Sequence, residues 1–313
     1  MSTTVLPERI TAEKSTYIPR VGAVHDLCGY GNCSLSVAIS VLSSAGCDVC
    51  SVPTSLFSAH TKYEHFYMHD TTSILHDYIE AWKVEDVNLD AVYSGFLGSS
   101  EQVDIIKQLY ATYPQALHVV DPVMGDGGMM YATYTQELCD ATKQLVHGAD
   151  ILLPNLTEAA LLTGKPYSGQ AISTHEACQI IANLVALGAK RVVLKGIETN
   201  HNTIVNYVYE APFAEQNVSA LSAKDMQVDV AAIEDAVNMV EEEKLPFSLH
   251  GTGDVFASCV CAGLLAKKPL VNTVAFAARF VRNAMWITRS QPEWEMRGVS
   301  FEPLLGDVAA FVK

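Results

Sequence analysis

Leu117-His-Val-Val-Asp121-Pro122-Val-Met-Gly125-Asp126-Gly127-Gly128 runs from a β-type segment into a glycine-rich loop. After it, Thr135–Val146 reads as an amphipathic helix and Ile151–Leu153 as the next apolar strand. Strand, crossover helix and strand in that order form the βαβ unit of a parallel sheet. The unit recurs on both sides. Toward the N-terminus, strands Val21–Val24 and Val49–Pro53 flank a helix carried by Leu35, Ile39 and Leu42 and stopped at Gly46. Ser55–Thr72 reads as a loop with several His and aromatic residues, Ile74–Trp82 as a helix, Ala91–Tyr93 as a strand and Gln102–Tyr110 as a helix. Toward the C-terminus come helix Glu176–Leu187, strands Arg191–Leu194 and Thr203–Tyr209, and two apolar helices, Val255–Ala266 and Val271–Trp286. The expected fold is therefore α/β, built from parallel βαβ units. A single domain is expected over residues 20–313. Residues 1–19 read as a flexible arm. The acidic segment 210–249, partly helical around Ala231–Glu243, reads as a surface excursion.

Composition narrows the function. The chain has 313 residues, and its 20 Lys+Arg against 35 Asp+Glu give a net charge of −15. That field repels a phosphate backbone, which argues against a nucleic-acid partner. A phosphorylated ligand would need local cations, a metal or aimed N–H groups. No apolar run approaches the roughly 18 residues of a spanning helix, and residues 1–20 lack a secretory core, so no membrane role and a cytoplasmic location are expected. The eight Cys are scattered, with only Cys47/Cys50 and Cys259/Cys261 close together, and read as reduced, packed residues.

Three segments carry chemistry. His250-Gly251-Thr252-Gly253-Asp254 precedes the small-residue helix; its glycines let several N–H groups face one anion at a helix N-terminus. A carboxylate at such a nest suits a base that takes a proton from an attacking hydroxyl while the nest steadies a transferring phosphoryl group. The same residues also read as a plain Gly-rich turn with Asp254 in the first helical turn. Asp121 closes a strand and Asp126 follows in the flexible loop, a pattern for a hard divalent cation at the carboxyl end of a sheet. Pro154-Asn155-Leu-Thr-Glu158 sets Asn155 and Glu158 three apart, as holders of metal-bound water or as an ordinary helix cap. Gly29-Tyr-Gly31-Asn-Cys-Ser34 falls short of a dinucleotide fingerprint, because Ser34 replaces the third glycine and no acidic residue closes the second strand.

Taken in order, His25-Asp26-Leu-Cys-Gly29-Tyr-Gly31-Asn32-Cys-Ser34, Ser58-Ala-His60-Thr61, Tyr93-Ser94-Gly95-Phe96-Leu97-Gly98, Asp121-Pro-Val-Met-Gly-Asp126, Pro154-Asn155-Leu-Thr-Glu158 and Gly251-Thr-Gly-Asp254 resemble the pyridoxal/pyridoxamine kinases of the ribokinase superfamily. The likeness runs from about Arg20 to Arg289. It implies a ribokinase-like three-layer α/β fold, a central mostly parallel sheet flanked by helices, and ATP-dependent phosphorylation of the 5′-hydroxymethyl of a vitamin B6 aldehyde, amine or alcohol, in B6 salvage. It implies Mg²⁺, with K⁺ as a further candidate ion near Asp126, and a homodimer. By the same likeness, Asp254 is the base and Gly251, Thr252 and Gly253 form the anion hole. Asp121 and Glu158 organise the metal, Asn155, Asp126 and Lys195 the nucleotide phosphates, and Thr61, Phe96 and Asp26 the pyridine ring. The pattern departs at Ala23, where many such kinases carry Ser, at Phe96, where Tyr is frequent, and in the length of 210–249. The alternatives are a hydroxymethylpyrimidine kinase and a non-catalytic B6- or nucleotide-binding protein of the same fold.

Overall fold

A computed structural model describes residues 17–169, 171–199, 202–211 and 228–313. From the N-terminal side, β1 (Arg20–Cys28), α1 (Ser34–Ser44), β2 (Asp48–Phe57), β3 (Met68–Asp70) and α2 (Thr72–Val84) lead to β4 (Ala91–Ser94), α3 (Ser100–Thr112) and β5 (Leu117–Val120). A small hairpin, β6 (Gly125–Asp126) with β7 (Met129–Met130), precedes α4 (Gln136–Val146), β8 (Ile151–Leu152), α5 (Leu156–Thr163) and α6 (Thr174–Ala186). β9 (Arg191–Glu198), β10 (Thr203–Glu210), α7 (Val230–Ala236) and β11 (Asn238–Glu243) follow. The last helices are α8 (Thr252–Leu265), α9 (Leu270–Arg289) and α10 (Leu305–Val312).

Nine strands form one sheet in the order β11-β10-β9-β8-β5-β4-β1-β2-β3. The six from β9 to β2 are parallel; at the edges β3 pairs antiparallel with β2, and β10 pairs antiparallel with both β9 and β11, so β11 again runs with the six. Because strand side chains alternate, a sheet covered on both faces needs apolar residues at successive positions. β8 shows this: Ile151 faces the layer of α1, α8, α9 and α10, while Leu152 faces the layer of α2 to α7. Val119 and Val120 of β5 divide the same way. β2 lies on one side of β1 and β4 on the other, so the winding direction reverses at β1. Ligand crevices in open α/β sheets open at the carboxyl ends of strands beside such a reversal.

Several expectations change. β2 runs past Pro53 to Phe57 and pairs with β3, so part of the segment 55–72 is sheet rather than loop. β9 continues to Glu198, which puts Lys195 inside a strand and not at its end. The helix expected around Ala231–Glu243 stops at Ala236. The acidic run Glu241–Glu243 is then the edge strand β11, paired with β10, instead of an excursion from the sheet. Residues 212–227 of that segment and residues 1–16 of the expected arm lie outside the described residues. Tyr17, still within that arm, hydrogen-bonds the Asp90 carboxylate at 2.8 Å. All eight cysteines are free; seven are buried and Cys50 is half-buried. No helix among the described residues is long and apolar enough to cross a membrane.

Candidate active site

The carboxyl ends of β1, β4, β5, β8 and β9 and the head of α8 surround one cleft of about 700 Å³. Every site residue named from the sequence lines it: Asp26, Thr61, Phe96, Asp121, Asp126, Asn155, Glu158, Lys195, Gly251, Thr252, Gly253 and Asp254. They reach it by different routes. Asp121 follows β5 directly, and its backbone N–H donates to Ser94 O at 2.9 Å, so strand pairing fixes its direction. Lys195 is held from β9, its N–H donating to Pro154 O at 2.9 Å. Asn155 and Glu158 form a reciprocal cap on α5: Asn155 Oδ1 accepts from the Glu158 N–H at 2.8 Å, and Glu158 Oε2 accepts from the Asn155 N–H at 2.7 Å. The capping alternative is thus what the local geometry shows, and it leaves the outer faces of both side chains on the cleft. Asn155 Nδ2 also donates to Gly125 O at 2.9 Å, tying the cap to the hairpin that carries Asp126.

At the head of α8, Gly251 is the N-cap with φ +84°, in the region that favours glycine. A side chain there would collide with the carbonyl oxygen of Asn32. The segment C-terminal to α9 closes this turn from behind: Val299 N–H donates to His250 O at 3.0 Å and Asn32 N–H to Arg297 O at 2.9 Å. Asn32 Nδ2 adds a bond to Val299 O at 3.0 Å. Asp254 then sits in the first turn of α8, where the helix N-terminus favours a negative charge.

The electrostatics are those of too many acids for the cations present. Burial pushes Asp121 up to about 6, against the pull of Lys195. Burial likewise raises Glu158 to about 8 and Asp26 to about 7. Asp254 is also raised by burial, with the Ser34 backbone N–H and Lys195 acting against the shift. Ser34 serves both acids, since its hydroxyl bonds Asp26; it holds φ +51° to do so, a conformation that strains a residue with a Cβ. Burial alone would lower Lys195, but Asp121 and Glu158 outweigh it and hold the ammonium charged. The other two cleft cations are already paired: Arg282 with Glu242 at 2.7 Å and Lys244 with Glu198 at 2.5 Å. The buried oxygen donors of Asp121 and Glu158, short of positive charge, suit a hard divalent cation.

Some cleft residues were not named from the sequence. Phe247 and Arg282 line the wall formed by the β11–α8 connection and α9, and Phe247 packs edge-on against Trp294 with centroids 5.2 Å apart. Cys28 and Cys33 line the floor. His60, which the sequence quotes beside Thr61, is buried with its ring 4.6 Å from that of His250. Thr61 itself is exposed at the rim.

Residues 36–295 match the family model for phosphomethylpyrimidine kinase. Pyridoxal kinase from Sus scrofa is 30% identical over 250 residues, covering 76% of this chain and 72% of that protein. The crystal structure of pyridoxal kinase from Lactobacillus plantarum superposes with a TM-score of 0.79 at 28% identity, over 94% of this chain and 98% of the other. A candidate phosphomethylpyrimidine kinase from Bacteroides thetaiotaomicron, crystallised with pyridoxal, gives a TM-score of 0.82 at 28% identity over 93% and 96%. Family model, sequence relatives and solved folds coincide over most of the chain, which therefore belongs to the phosphomethylpyrimidine kinase family and, within it, to the pyridoxal kinases.

Proposed function

We propose that this chain is an ATP-dependent kinase that phosphorylates the 5′-hydroxymethyl group of a B6 vitamer. The observation that carries the reading is the convergence of Asp254, the Gly251–Gly253 turn, Lys195 and Asp26 on one cleft. Asp254 takes the proton of the attacking hydroxyl as its oxygen bonds the γ-phosphorus, and the bond to the β–γ bridging oxygen breaks to release ADP. The N–H groups at the head of α8 face the charge that develops on the transferring group. Lys195, whose Nζ lies 3.9 Å from where a Cβ on Gly253 would stand, meets the phosphates beside that turn. Mg²⁺, bound by Asp121 and Glu158, would neutralise triphosphate charge. Asp126 and Asn155 border the same region, with K⁺ as a further ion near Asp126. Asp26 contacts a ring hydroxyl or nitrogen, Thr61 the ring substituents, and Phe96 the ring face. The relatives' names and the pyridoxal in the Bacteroides crystal support B6 as the substrate class. We read the protein as a cytoplasmic homodimer, checked by sedimentation.

The family model is named for a phosphomethylpyrimidine kinase, which keeps a pyrimidine as the rival substrate, here hydroxymethylpyrimidine. The test is ADP release from purified protein with ATP and Mg²⁺, offering pyridoxal, pyridoxamine, pyridoxine and hydroxymethylpyrimidine separately. Turnover on a B6 form that stops without Mg²⁺ is the expected result. Turnover on the pyrimidine alone would transfer the reading to that rival. Pyridoxal binding with no turnover on any of the four would make the chain a binding protein.

A further inference from the structure

The floor of the cleft gathers a set of donors of which the proposed reaction uses only Asp26, as a contact to the ring. β1 ends with Asp26 and Cys28, and Cys33 caps α1. A carboxylate oxygen of Asp26 and the two Sγ atoms all lie within 4.8 Å of one another. The three residues are only 6%, 6% and 2% exposed, yet all line the cleft. The loop between the cysteines is anchored at both ends: Gly29 N–H donates to Phe57 O at 2.8 Å and Asn32 N–H to Arg297 O at 2.9 Å. The donors are therefore held together by the fold.

We propose that Asp26, Cys28 and Cys33 form a three-ligand site for a borderline-soft divalent cation of the Zn²⁺ class, and that metal bound there excludes the B6 vitamer from Asp26. Two thiolates and a carboxylate are a donor set that Zn²⁺ accepts, with the fourth position left to water or substrate. Mg²⁺ prefers oxygen donors alone, so the acids at Asp121 and Glu158 and this sulfur-bearing group select different ions. Binding replaces two S–H bonds with two metal–sulfur bonds and releases two protons to solvent, with no change of oxidation state. What points to a metal here is the grouping itself: two sulfurs and a carboxylate oxygen held within 4.8 Å of one another at the lining of an open cleft.

The competition between metal and vitamer rests on the B6 reading; metal binding itself does not. Cd²⁺ is the probe, because its thiolate complexes absorb in the ultraviolet. It is titrated into the full chain after reductant is removed and without ATP. One equivalent should raise the thiolate band, ZnCl₂ should displace it, and the band should be lost in Cys28→Ser and in Cys33→Ser but kept in Cys50→Ser. Circular dichroism checks that each variant is folded. The wild-type protein supplies an arm that needs no variant: pyridoxal should shift the Cd²⁺ midpoint upward in proportion to its concentration. Absence of a band at one equivalent, or a band that survives both substitutions, overturns the site. A band indifferent to pyridoxal overturns the exclusion. A protein that binds Cd²⁺ at these cysteines but phosphorylates no B6 form would refute the kinase reading and leave the metal site standing.

Discussion

Lys195 holds its Nζ 2.5 Å from Oδ1 of Asp121, with the lysine side chain 12% and the aspartate 1% exposed. Glu158 Oε2 stands 3.9 Å from the same ammonium. One cation thus neutralises two buried acids. Breaking a buried pair commonly costs about 3–5 kcal/mol. Here the acids can take up protons instead, since burial has raised Asp121 to about 6 and Glu158 to about 8. Lys195→Met should therefore lose about 2–3 kcal/mol of stability near pH 8 and less near pH 5.5, read from urea midpoints. An equal loss at both pH values would mean that charge in this trio does not govern the effect.

The wild-type protein should show its own pH signature. Asp26 and Glu158 hold protons in the fold to about 7 and about 8, through burial, whereas the unfolded chain releases them in the ordinary carboxylate range. Where the native state binds more protons, stability falls as pH rises. That contribution is full below the unfolded pKa and is lost as pH climbs through the folded one. Burial acts oppositely on His25, lowered to about 3, and His60, lowered to about 4, so their contribution is lost below the unfolded histidine pKa. Between the unfolded carboxylate and histidine values the acids and the histidines oppose each other, so the ligand-free protein should be most stable on the acid side of neutrality, at about pH 5–6, and lose on the order of 1 kcal/mol between about pH 7 and 8.5. Added Mg²⁺ should flatten that alkaline limb. A denaturation series with and without Mg²⁺ measures both effects.

Asp254→Asn removes the proposed base but keeps a side chain of nearly the same shape at the head of α8. Its kcat should fall by on the order of 10²–10⁴, with the thermal midpoint little changed. Near-wild-type turnover would remove Asp254 from the chemistry.

The two glycines flanking Thr252 should respond differently to the same methyl group. Gly251→Ala forces a Cβ against the Asn32 carbonyl at φ +84°. It should cost about 1–3 kcal/mol and disable the turn. Around Gly253 the nearest atom to a Cβ is Lys195 Nζ at 3.9 Å, so Gly253→Ala should fold normally. Its defect should appear as a raised KM for ATP, which steady-state kinetics separates from a loss of stability.

Asp26 and Arg282 stand on different walls of the cleft, and their variants should divide the two substrates. Asp26→Asn weakens a charge-assisted contact worth about 1.5–3 kcal/mol, a rise of roughly 10–100-fold in the KM for pyridoxal with ATP little affected. Arg282→Ala breaks the tie between α9 and Glu242 of β11 and should raise the KM for ATP instead. Equal shifts in both constants for either variant would contradict this division.

The sheet was most readable where a strand is central and apolar on both faces: Leu117–Val120 is recovered residue for residue as β5. β2 reads short because Pro53 looks like a stop. Proline is tolerated there because β3 pairs only Ser55 to Phe57, so at Pro53 the outer side of β2 is an edge. β11 escaped notice because three consecutive glutamates disfavour a strand, and its stabilising partners lie outside its own sequence. One of them is Arg282, which a sequence shows only as a charge within a helical stretch. The site was legible for a different reason: each of its motifs lies where a strand or a helix head must open on the crevice. Phe247 and the pairing of Arg282 with Glu242 carry no such local mark.

The clamp of Val299 on His250, and of Arg297 on Asn32, joins segments far apart in the order of synthesis. Asp26, Asp121, Lys195 and Asp254 all leave the ribosome before Val299 does. The turn at the head of α8 is therefore among the last parts of the molecule to gain its backbone partners, and the emergence of residues 297–299 sets the earliest moment at which a nascent copy has a complete cleft.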